Sequence, residues 1–184
     1  MVINSRILDG CRKGRRKYQK ILYEQYYSYG IGICYRYAYS REDALEILND
    51  SFMKVFNYIG SFNQQYSFLP WFRKIIINTS IDYYKSSKRF YESHIMDTIE
   101  IEVSDTETIN YLEIDDLMKL LNALPEKYRL TFNLYEIEGY SHEEISELLN
   151  VGISTARSNL ARAKKLLRLK YEYYFSETYE RIIR

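Results

Sequence analysis

One stretch of the sequence places an indole, an amide and cations on a single helical face. The segment PWFRKIIINTSIDYYKSSKR is predicted to be a helix, and Trp71, Asn78, Asp82, Lys85 and Arg89 share one narrow sector of it. Aromatic rings stack on bases, amides read base edges, and cations contact phosphates, so this face predicts binding of single-stranded nucleic acid. The alternative is that Trp71 belongs to the core. An exposed role is favoured for Asn78, because a buried amide needs hydrogen-bond partners.

The segment before this helix offers further aromatic side chains for the same pocket. Residues 60–69 read GSFNQQYSFL and are predicted to be a loop, with Pro70 at the first position of the following helix. Phe62, Tyr66 and Phe68 would extend a base-binding pocket from this loop.

A second pair of predicted helices has the spacing of a helix-turn-helix. Ser141 and Glu144 have capping-box spacing at the start of a short helix, and Asn150 and Gly152 mark the turn. A longer helix follows over about 154–170. Its outer face would lie in the DNA major groove, unless the pair is an ordinary helical hairpin with a basic surface. The expected inner stripe is Ala156, Leu160, Ala163 and Leu167, and the outer face carries Ser154, Ser158, Arg162 and Lys165, flanked by Arg157 and Arg168.

The helix predicted after Ser40 combines an apolar stripe with an acidic face. Ser40 and Asp43 have capping-box spacing, and the helix is expected to continue to about Ile59. Its core stripe is Ala44, Ile47, Leu48, Phe52, Val55, Phe56 and Ile59. The opposite face is either a solvated surface or a docking face for a basic protein, and it carries Asp43, Glu46, Asn49, Asp50 and Lys54.

Charge divides the chain into blocks, although its net charge is only +1. Residues 1–91 hold 15 bases and 7 acids, residues 92–120 hold 1 and 9, and residues 121–184 hold 10 and 9. The acidic stretch 92–116 also loses helical periodicity, so it is expected to link an N-terminal domain, 1–91, to a C-terminal domain, 117–184. The basic regions suggest an anionic partner, although charge by itself favours a solvated surface.

The composition predicts an all-α protein of two small helical domains. The 184 residues include only 7 Gly and 2 Pro, and 46% of them are hydrophobic, enough for packed cores. No run of 18 apolar residues or apolar signal core exists, so membrane insertion and secretion are not expected. Cys11 and Cys34 lie far apart, which excludes a disulfide framework or a cysteine-based zinc site and suits a cytoplasmic location.

Residues capable of catalysis are not arranged for it. No phosphate-binding loop is present, and the only histidines are His94 and His142. A metal-dependent nuclease would need acids in or beside the linker, where nothing fixes their geometry: Asp105, Glu113, Asp115 and Asp116. The sequence therefore predicts no enzymatic activity, no metal and no cofactor.

Three segments, in this order, resemble the RNA polymerase sigma factors of the extracytoplasmic-function (ECF) type. DALEILNDSFMKVFNYIGSF resembles the polymerase-binding helix, FLPWFRKIIINTSIDYYKSSKR the promoter-melting helix, and LPEKYRLTFNLYEIEGYSHEEISELLNVGISTARSNLARAKKLLR the C-terminal helix-turn-helix. The resemblance covers nearly the whole chain. It implies a specificity subunit that binds core RNA polymerase and directs promoter recognition, DNA melting and transcription initiation. A helix-turn-helix regulator that acts without polymerase is the alternative.

The resemblance also implies roles for matching side chains. The clamp helices of the largest polymerase subunits would be gripped by Asp43, Glu46, Asn49, Asp50, Phe52 and Lys54. The −10 promoter element would contact Asn78, which meets a flipped-out base, together with Ser61, Phe62, Tyr66, Phe68, Trp71, Lys85, Lys88 and Arg89. The −35 element would meet Ser154, Thr155, Arg157, Ser158, Asn159, Arg162 and Lys165. The acidic linker would thread the RNA-exit path, and a membrane-bound anti-sigma factor would be a further partner.

Several residues depart from the family pattern. Asn49 stands where glutamine is usual, which is a mild change. Asn159 replaces a common arginine, and Ala161 replaces a common histidine or aromatic residue. These two changes predict altered or weaker selection of the −35 element.

Overall fold

The computed structural model describes residues 3–94 and 120–182. Every regular element in these ranges is helical, which confirms the predicted all-α fold. Contacts divide the chain into two units, Met1–Tyr91 and Glu92–Arg184. Most of the predicted linker, 95–116, lies outside the described residues.

Four helices make up the described part of the N-terminal unit: α1 (Ser5–Arg12), α2 (Arg16–Cys34), α3 (Arg41–Tyr58) and α4 (Phe68–His94). Helix α2 packs against both α1 and α3. The amphipathic spacing of each helix turns its apolar residues inward. The largest buried side chains of the unit are Leu22, Tyr26, Ile47, Leu48, Phe52, Ile59, Phe68, Phe72 and Ile76.

Aromatic rings join α2, α3 and α4 in this core. The ring centroid of Phe72 lies 4.9 Å from that of Phe52 and 6.2 Å from that of Tyr26. Each such pair adds about 0.5–1.5 kcal/mol beyond the burial of its area. Gly30 permits the close approach of α2 to α3, because a Cβ there would lie 2.6 Å from Leu48 Cδ1.

After residue 125 the C-terminal unit contains three α-helices and one π-helical turn: α5 (Glu126–Phe132), the turn (Asn133–Ile137), α6 (His142–Leu149) and α7 (Ile153–Ile182). Helix α7 packs against α5 and α6. The apolar core of this unit is largely aliphatic, and the polar side chains of Arg129, Thr131 and Asn133 are fully buried beside it. It includes Leu121, Leu124, Leu130, Leu134, Ile145, Ala156, Leu160 and Ala163.

Both predicted capping boxes are confirmed. The Asp43 N–H donates to Ser40 Oγ at 3.0 Å, and the Ser40 N–H donates to Asp43 Oδ2 at 3.2 Å. The Glu144 N–H donates to Ser141 Oγ at 3.1 Å, and the Ser141 N–H donates to Glu144 Oε2 at 2.8 Å. Each N-cap contributes about 1 kcal/mol to its helix. The two boxes therefore determine where α3 and α6 begin.

The turn between α6 and α7 has the backbone that its residues predict. Asn150 adopts the left-handed conformation with φ of 52°, which asparagine tolerates better than most residues. The Val151 N–H donates to the Ser146 carbonyl at 3.0 Å, and the Ser146 hydroxyl donates to the Val151 carbonyl at 2.6 Å. These bonds close α6 and set the entry into α7.

The bounds of α4 differ from the prediction at both ends. The helix begins at Phe68, so Pro70 occupies its third position rather than its first. Proline is tolerated there, because N–H groups of the first helical turn have no intrahelical acceptor. At the other end the helix continues to His94, three residues into the segment predicted as linker.

Candidate functional site

The face of α4 that is predicted to bind nucleic acid is partly accessible. Asn78 is exposed, whereas Trp71 and Lys85 are half-buried. Asn78 and Trp71 lie seven residues apart, which places them on one face two helical turns from each other. Lys88 and Arg89 belong to α4, but their side chains lie outside the described ones.

The loop before α4 presents fewer aromatic rings than predicted. Tyr66 is 71% exposed and Ser61 is exposed, but Phe62 and Phe68 are only 5% and 2% exposed. Their ring centroids lie 4.9 and 5.6 Å from that of Trp71. This burial corrects the expectation that both phenylalanines line the pocket. Removing apolar surface from water stabilises the fold by about 25 cal/mol per Å². Both rings are therefore buried in the core, where they pack against the Trp71 indole.

The path of this loop is set by Arg12, which the sequence reasoning missed. The guanidinium donates from Nη2 to the Phe62 carbonyl at 2.9 Å and from Nε to the Ile59 carbonyl at 3.4 Å. Arg12 also forms an ion pair with Asp9 at 3.3 Å. No local pattern signals such a bond, because donor and acceptors are about 50 residues apart in sequence.

The acidic face of α3 is present and open. Glu46, Asn49 and Asp50 are exposed, and the Tyr23 hydroxyl donates to Asn49 Oδ1 at 3.2 Å. Met53 belongs to the same face and is 58% exposed. Its spacing from Asn49 and Asp50 was a usable signal, since residues three and four apart share a helix face. The face thus combines carboxylates, an amide and one flexible apolar side chain.

Two other residues predicted for this face point elsewhere. Phe52 is 2% exposed, and its ring centroid lies 4.6 Å from that of Tyr23. It therefore belongs to the core, as the apolar stripe indicates, and its predicted contact with polymerase is corrected. Lys54 forms an ion pair with Asp82 of α4 at 2.9 Å, so this cation bridges α3 and α4.

Asp43 is half-buried and serves two helices. One oxygen completes the capping box of α3, and the Tyr83 hydroxyl of α4 donates to the other at 2.7 Å. Burial by itself would raise the pKa of this carboxyl. The hydrogen bonds from Tyr83 and Ser40 outweigh that effect and hold the pKa of Asp43 below its ordinary value. The carboxylate therefore positions α3 against α4.

The outer face of α7 is accessible along the predicted recognition surface. The side of α7 opposite the buried stripe of Ala156, Leu160 and Ala163 projects away from the core. The exposed members are Ser154, Thr155, Arg157, Ser158, Arg162 and Lys165.

Asn159 is an exception on this helix. It is 5% exposed and lies beside the stripe formed by Ala156, Leu160 and Ala163. The spacing of three residues from Ala156 turns it toward α5 and α6. Its predicted contact with the −35 element is therefore corrected.

Acidic and phenolic groups from neighbouring helices face the cations of α7. Arg157 Nη2 lies 3.6 Å from Glu143 Oε1 of α6, and both side chains are largely exposed. Arg162 Nη1 donates to the Tyr128 hydroxyl at 3.4 Å. The sequence analysis did not predict Glu143 and Tyr128 as partners of these arginines. The order of the helices along the chain does not determine which faces of α5 and α6 pack against α7.

Neither a metal-binding cluster nor a membrane-spanning helix is found in the described ranges. Within residues 3–94 and 120–182, no group of three or more His, Cys, Asp and Glu side chains could hold a metal ion. No described helix is long and apolar enough to cross a bilayer.

Two sequence families match the chain, one in each unit. Residues 22–90 match Sigma-70 region 2, and residues 114–167 match Sigma-70, region 4. The first match contains the α3 face and the face of α4 with Asn78, and the second contains the helix-turn-helix. Together the two matches span most of the chain.

Similar proteins carry the same assignment. The ECF RNA polymerase sigma-E factor of Haemophilus influenzae is 25% identical over 178 residues, covering 90% of this chain and 94% of that protein. The RNA polymerase sigma factor SigV of Bacillus subtilis is 28% identical over 138 residues, covering 75% and 81%. The sigma factor RpoE of Bartonella quintana, solved in complex with the anti-sigma factor NepR, aligns with a TM-score of 0.53 at 20% identity, covering 83% and 96%. This last likeness supports the fold.

The chain belongs to the sigma-70 family of RNA polymerase sigma factors and is of the ECF type. It is a non-enzymatic subunit that binds core RNA polymerase and directs promoter recognition. The alternative, a helix-turn-helix regulator without polymerase binding, is not favoured, because it leaves the region 2 match unexplained.

Proposed function

We propose that the N-terminal unit holds one strand of the −10 element through α4 and the loop before it. Asn78 reads a flipped-out base, Trp71 and Tyr66 stack on bases, and Ser61 and Lys85 contact the backbone. The observation that carries this proposal is the exposure of Asn78 on a helix whose other side is core. An amide kept in solvent on a rigid helix is suited to base recognition.

Such a pocket couples recognition to strand opening. Unstacking a base costs a few kcal/mol, and stacking on an aromatic side chain returns about 1–3 kcal/mol. The remaining free energy comes from hydrogen bonds that only the matching base makes with Asn78. The promoter is then opened only where the sequence is right. Lys88 and Arg89 on the same helix add phosphate contacts.

The exposed face of α3 is the proposed surface for core polymerase. Glu46, Asn49, Asp50 and Met53 form it, whereas Phe52, Asp43 and Lys54 hold the helix in place from its inner side. Its charge suits a basic protein surface.

The C-terminal unit is proposed to bind the −35 element with the outer face of α7. Arg157, Ser158 and Arg162 meet bases or phosphates in the major groove, and Ser154, Thr155 and Lys165 extend the contact. The exposed Ala161 lies on this surface and offers no polar group. We therefore propose weak selection at the base pair it faces.

Further parts of the proposal concern location and partners. Residues 1–91 and 117–184 act as separate domains, and the acidic segment 92–116 passes through the RNA-exit path of polymerase. The protein acts in the cytoplasm, and a membrane-bound anti-sigma factor competes with polymerase for it. Family resemblance supports these points.

Co-elution with core RNA polymerase tests the α3 surface. The wild-type chain should form a stoichiometric complex without DNA, and Asp50→Lys should weaken that complex at least tenfold. Glu24→Lys, which reverses an exposed charge on α2, is the matched control and should bind normally. Equal binding of all three proteins would refute this surface.

Selection of promoters from random DNA by the wild-type holoenzyme tests the DNA contacts. The selected sequences should contain two conserved blocks. With Asn78→Ala, preference should be lost at one position of the downstream block. A chain that binds duplex DNA tightly and selects one block without polymerase would instead act as a plain regulator.

A further inference from the structure

Six cations lie on α1, in the turn after it and at the start of α2. All six are exposed, and Asp9 is the one acid between residues 5 and 20. Further along α2, Lys20 is paired with Glu24 at 3.6 Å. The α1–α2 basic surface consists of Arg6, Arg12, Lys13, Arg15, Arg16 and Lys17.

Helix stability does not account for this placement. Arg15 is the N-cap of α2 and provides no side-chain cap, and the first turn that follows contains no acid. Arg16 and Lys17 therefore lie at the positive end of the helix dipole, where cations are disfavoured. A partner that brings negative charge would relieve the repulsion among these groups.

The surface is concave. An open cavity of about 370 Å³ lies where α1 meets α2, and Asp9 is the only acid among the described residues of its wall. Asp9 is already paired with Arg12. Other wall residues are Ser5, Arg6, Lys13, Arg15 and Tyr18.

Tyr18 lines this cavity, and the positive charge there affects the pKa of its phenol. Its ring packs so closely on Gly10 that a Cβ there would overlap it at 2.2 Å, which fixes the ring in the wall. A hydrogen bond with Arg6, together with the positive charge of Arg6, lowers the pKa of the Tyr18 phenol. The cavity therefore offers hydroxyl and cationic groups for an anion.

The basic surface adjoins the loop assigned to the −10 element. Arg12 bonds the carbonyls of Ile59 and Phe62, and the turn Lys13–Arg15 begins one residue later. Arg12 therefore joins the basic surface to the loop that carries Tyr66.

We propose that the α1–α2 basic surface binds the sugar-phosphate backbone of promoter DNA beside the −10 element, without reading its sequence. The wall groups are cations and hydroxyls, which suit phosphate oxygens better than base edges. The inference rests on the proposed function of α4, since that function places the DNA.

The test uses the full chain with core polymerase and a promoter fragment that the wild-type holoenzyme selects from random DNA. Lys13→Gln/Arg15→Gln removes two exposed cations. Each lost phosphate contact lowers the slope of log K against log salt by about 0.9, so the slope should fall by about 2. Affinity in low salt should fall about tenfold, equally for promoters with altered sequence around the −10 element, and the difference should shrink at high salt.

Lys20→Gln/Arg41→Gln removes the same charge from other exposed positions and should leave the slope within experimental error of wild type. A double variant Lys13→Gln/Arg15→Gln with an unchanged slope overturns the proposal. The proposal is also overturned if this variant loses affinity only for polymerase and not for DNA, because that result would indicate an acidic protein partner. A wild-type holoenzyme that selects no promoter would refute the proposed function itself, and that result is seen before any variant is measured.

Discussion

The two units present recognition surfaces of different construction. In the N-terminal unit, polar side chains around the α3 and α4 faces bond to one another across helices, as Asp43 does with Tyr83 and Lys54 with Asp82. In the C-terminal unit, the cations of α7 project outward and meet single groups from neighbouring helices, such as Glu143 opposite Arg157.

The difference suits the binding that is proposed for each surface. The proposed pocket must admit a flipped-out base, and the groups around Asn78 are supported by an aromatic core and by bonds between helices. A duplex groove accepts a protruding helix, and acids beside it can adjust the strength of binding without reshaping the fold. Four predictions sharpen this contrast, from the largest expected effect to the smallest.

The largest effect concerns the two cores. Phe72→Ala should destabilise the N-terminal unit by about 3–5 kcal/mol, because it leaves a cavity among packed rings. Trp71 is the only tryptophan, so its fluorescence reports unfolding of this unit alone. In urea, the fluorescence transition should move to lower concentration, while part of the circular dichroism signal unfolds as in wild type.

Leu134→Ala is the matched change in the other core and should cost about 2–5 kcal/mol there. It should shift the circular dichroism transition and leave the fluorescence transition in place. If Phe72→Ala moved the whole circular dichroism transition, or Leu134→Ala moved the fluorescence transition, the two units would unfold as one.

The second prediction separates base reading from groove binding. Asn78→Ala and Arg162→Ala should each reduce transcription from a selected promoter by about 5- to 150-fold, the equivalent of about 1–3 kcal/mol per base contact. The Asn78 variant should lose discrimination only in the downstream block and the Arg162 variant only in the upstream block. Transcription from promoters mutated singly in each block measures this, and crossed effects would contradict the assignment.

The third prediction concerns pH and the support of α3. The pKa of Asp43 is lower in the folded chain, so the unfolded chain binds more protons in acid. The stabilisation is complete above the unfolded pKa of about 4 and is lost as the pH falls through the folded value.

Tyr83→Phe removes the hydrogen bond from Tyr83 to this carboxylate and should cost about 1 kcal/mol at pH 7. Its deficit relative to wild type should shrink as the pH falls below 4. Tyr84→Phe, on the next residue of α4, is the control. Urea titrations followed by Trp71 fluorescence at several pH values measure both variants, and a deficit independent of pH would show that the bond to Asp43 is not its cause.

The smallest effect is expected at the rim of α7. Glu143→Gln releases Arg157 from an exposed ion pair worth about 0.2–1 kcal/mol. Holoenzyme affinity for the promoter should rise by about 1.5- to 5-fold at low salt, and the gain should fade as salt increases. Glu147→Gln on the same helix is the control. An equal gain in affinity with this variant would show that the effect comes from the change in net charge and not from the release of Arg157.

Much of this fold follows from local patterns. The capping residues Ser40 and Ser141 begin α3 and α6 as predicted, because a cap involves only neighbouring backbone groups. The apolar stripe also assigned Phe52 to the core, whereas family resemblance placed it on the polymerase surface. The burial of Phe52 agrees with the prediction from the apolar stripe, because the periodicity of apolar residues indicates which side of a helix faces the core.

Side chains in loops and at the edges of stripes were harder to place. Phe62 and Phe68 precede or begin a helix, where no periodicity tells a core ring from a pocket ring. Asn159 is polar, and family resemblance assigned it to the DNA surface, although its spacing of three residues from Ala156 turns it inward, where it is buried.

By itself, the sequence determined the all-helical fold, the starts of α3 and α6, and the candidate recognition faces of α4 and α7. These features depend on residues within one or two helical turns of each other, so a linear pattern contains them. The tertiary structure decided that Arg12 holds the loop before α4, that Tyr83 bonds Asp43, and that the basic end of α1 lies beside the proposed −10 pocket. Those contacts join residues 40 or more positions apart, and only the packing of helices against one another brings them together.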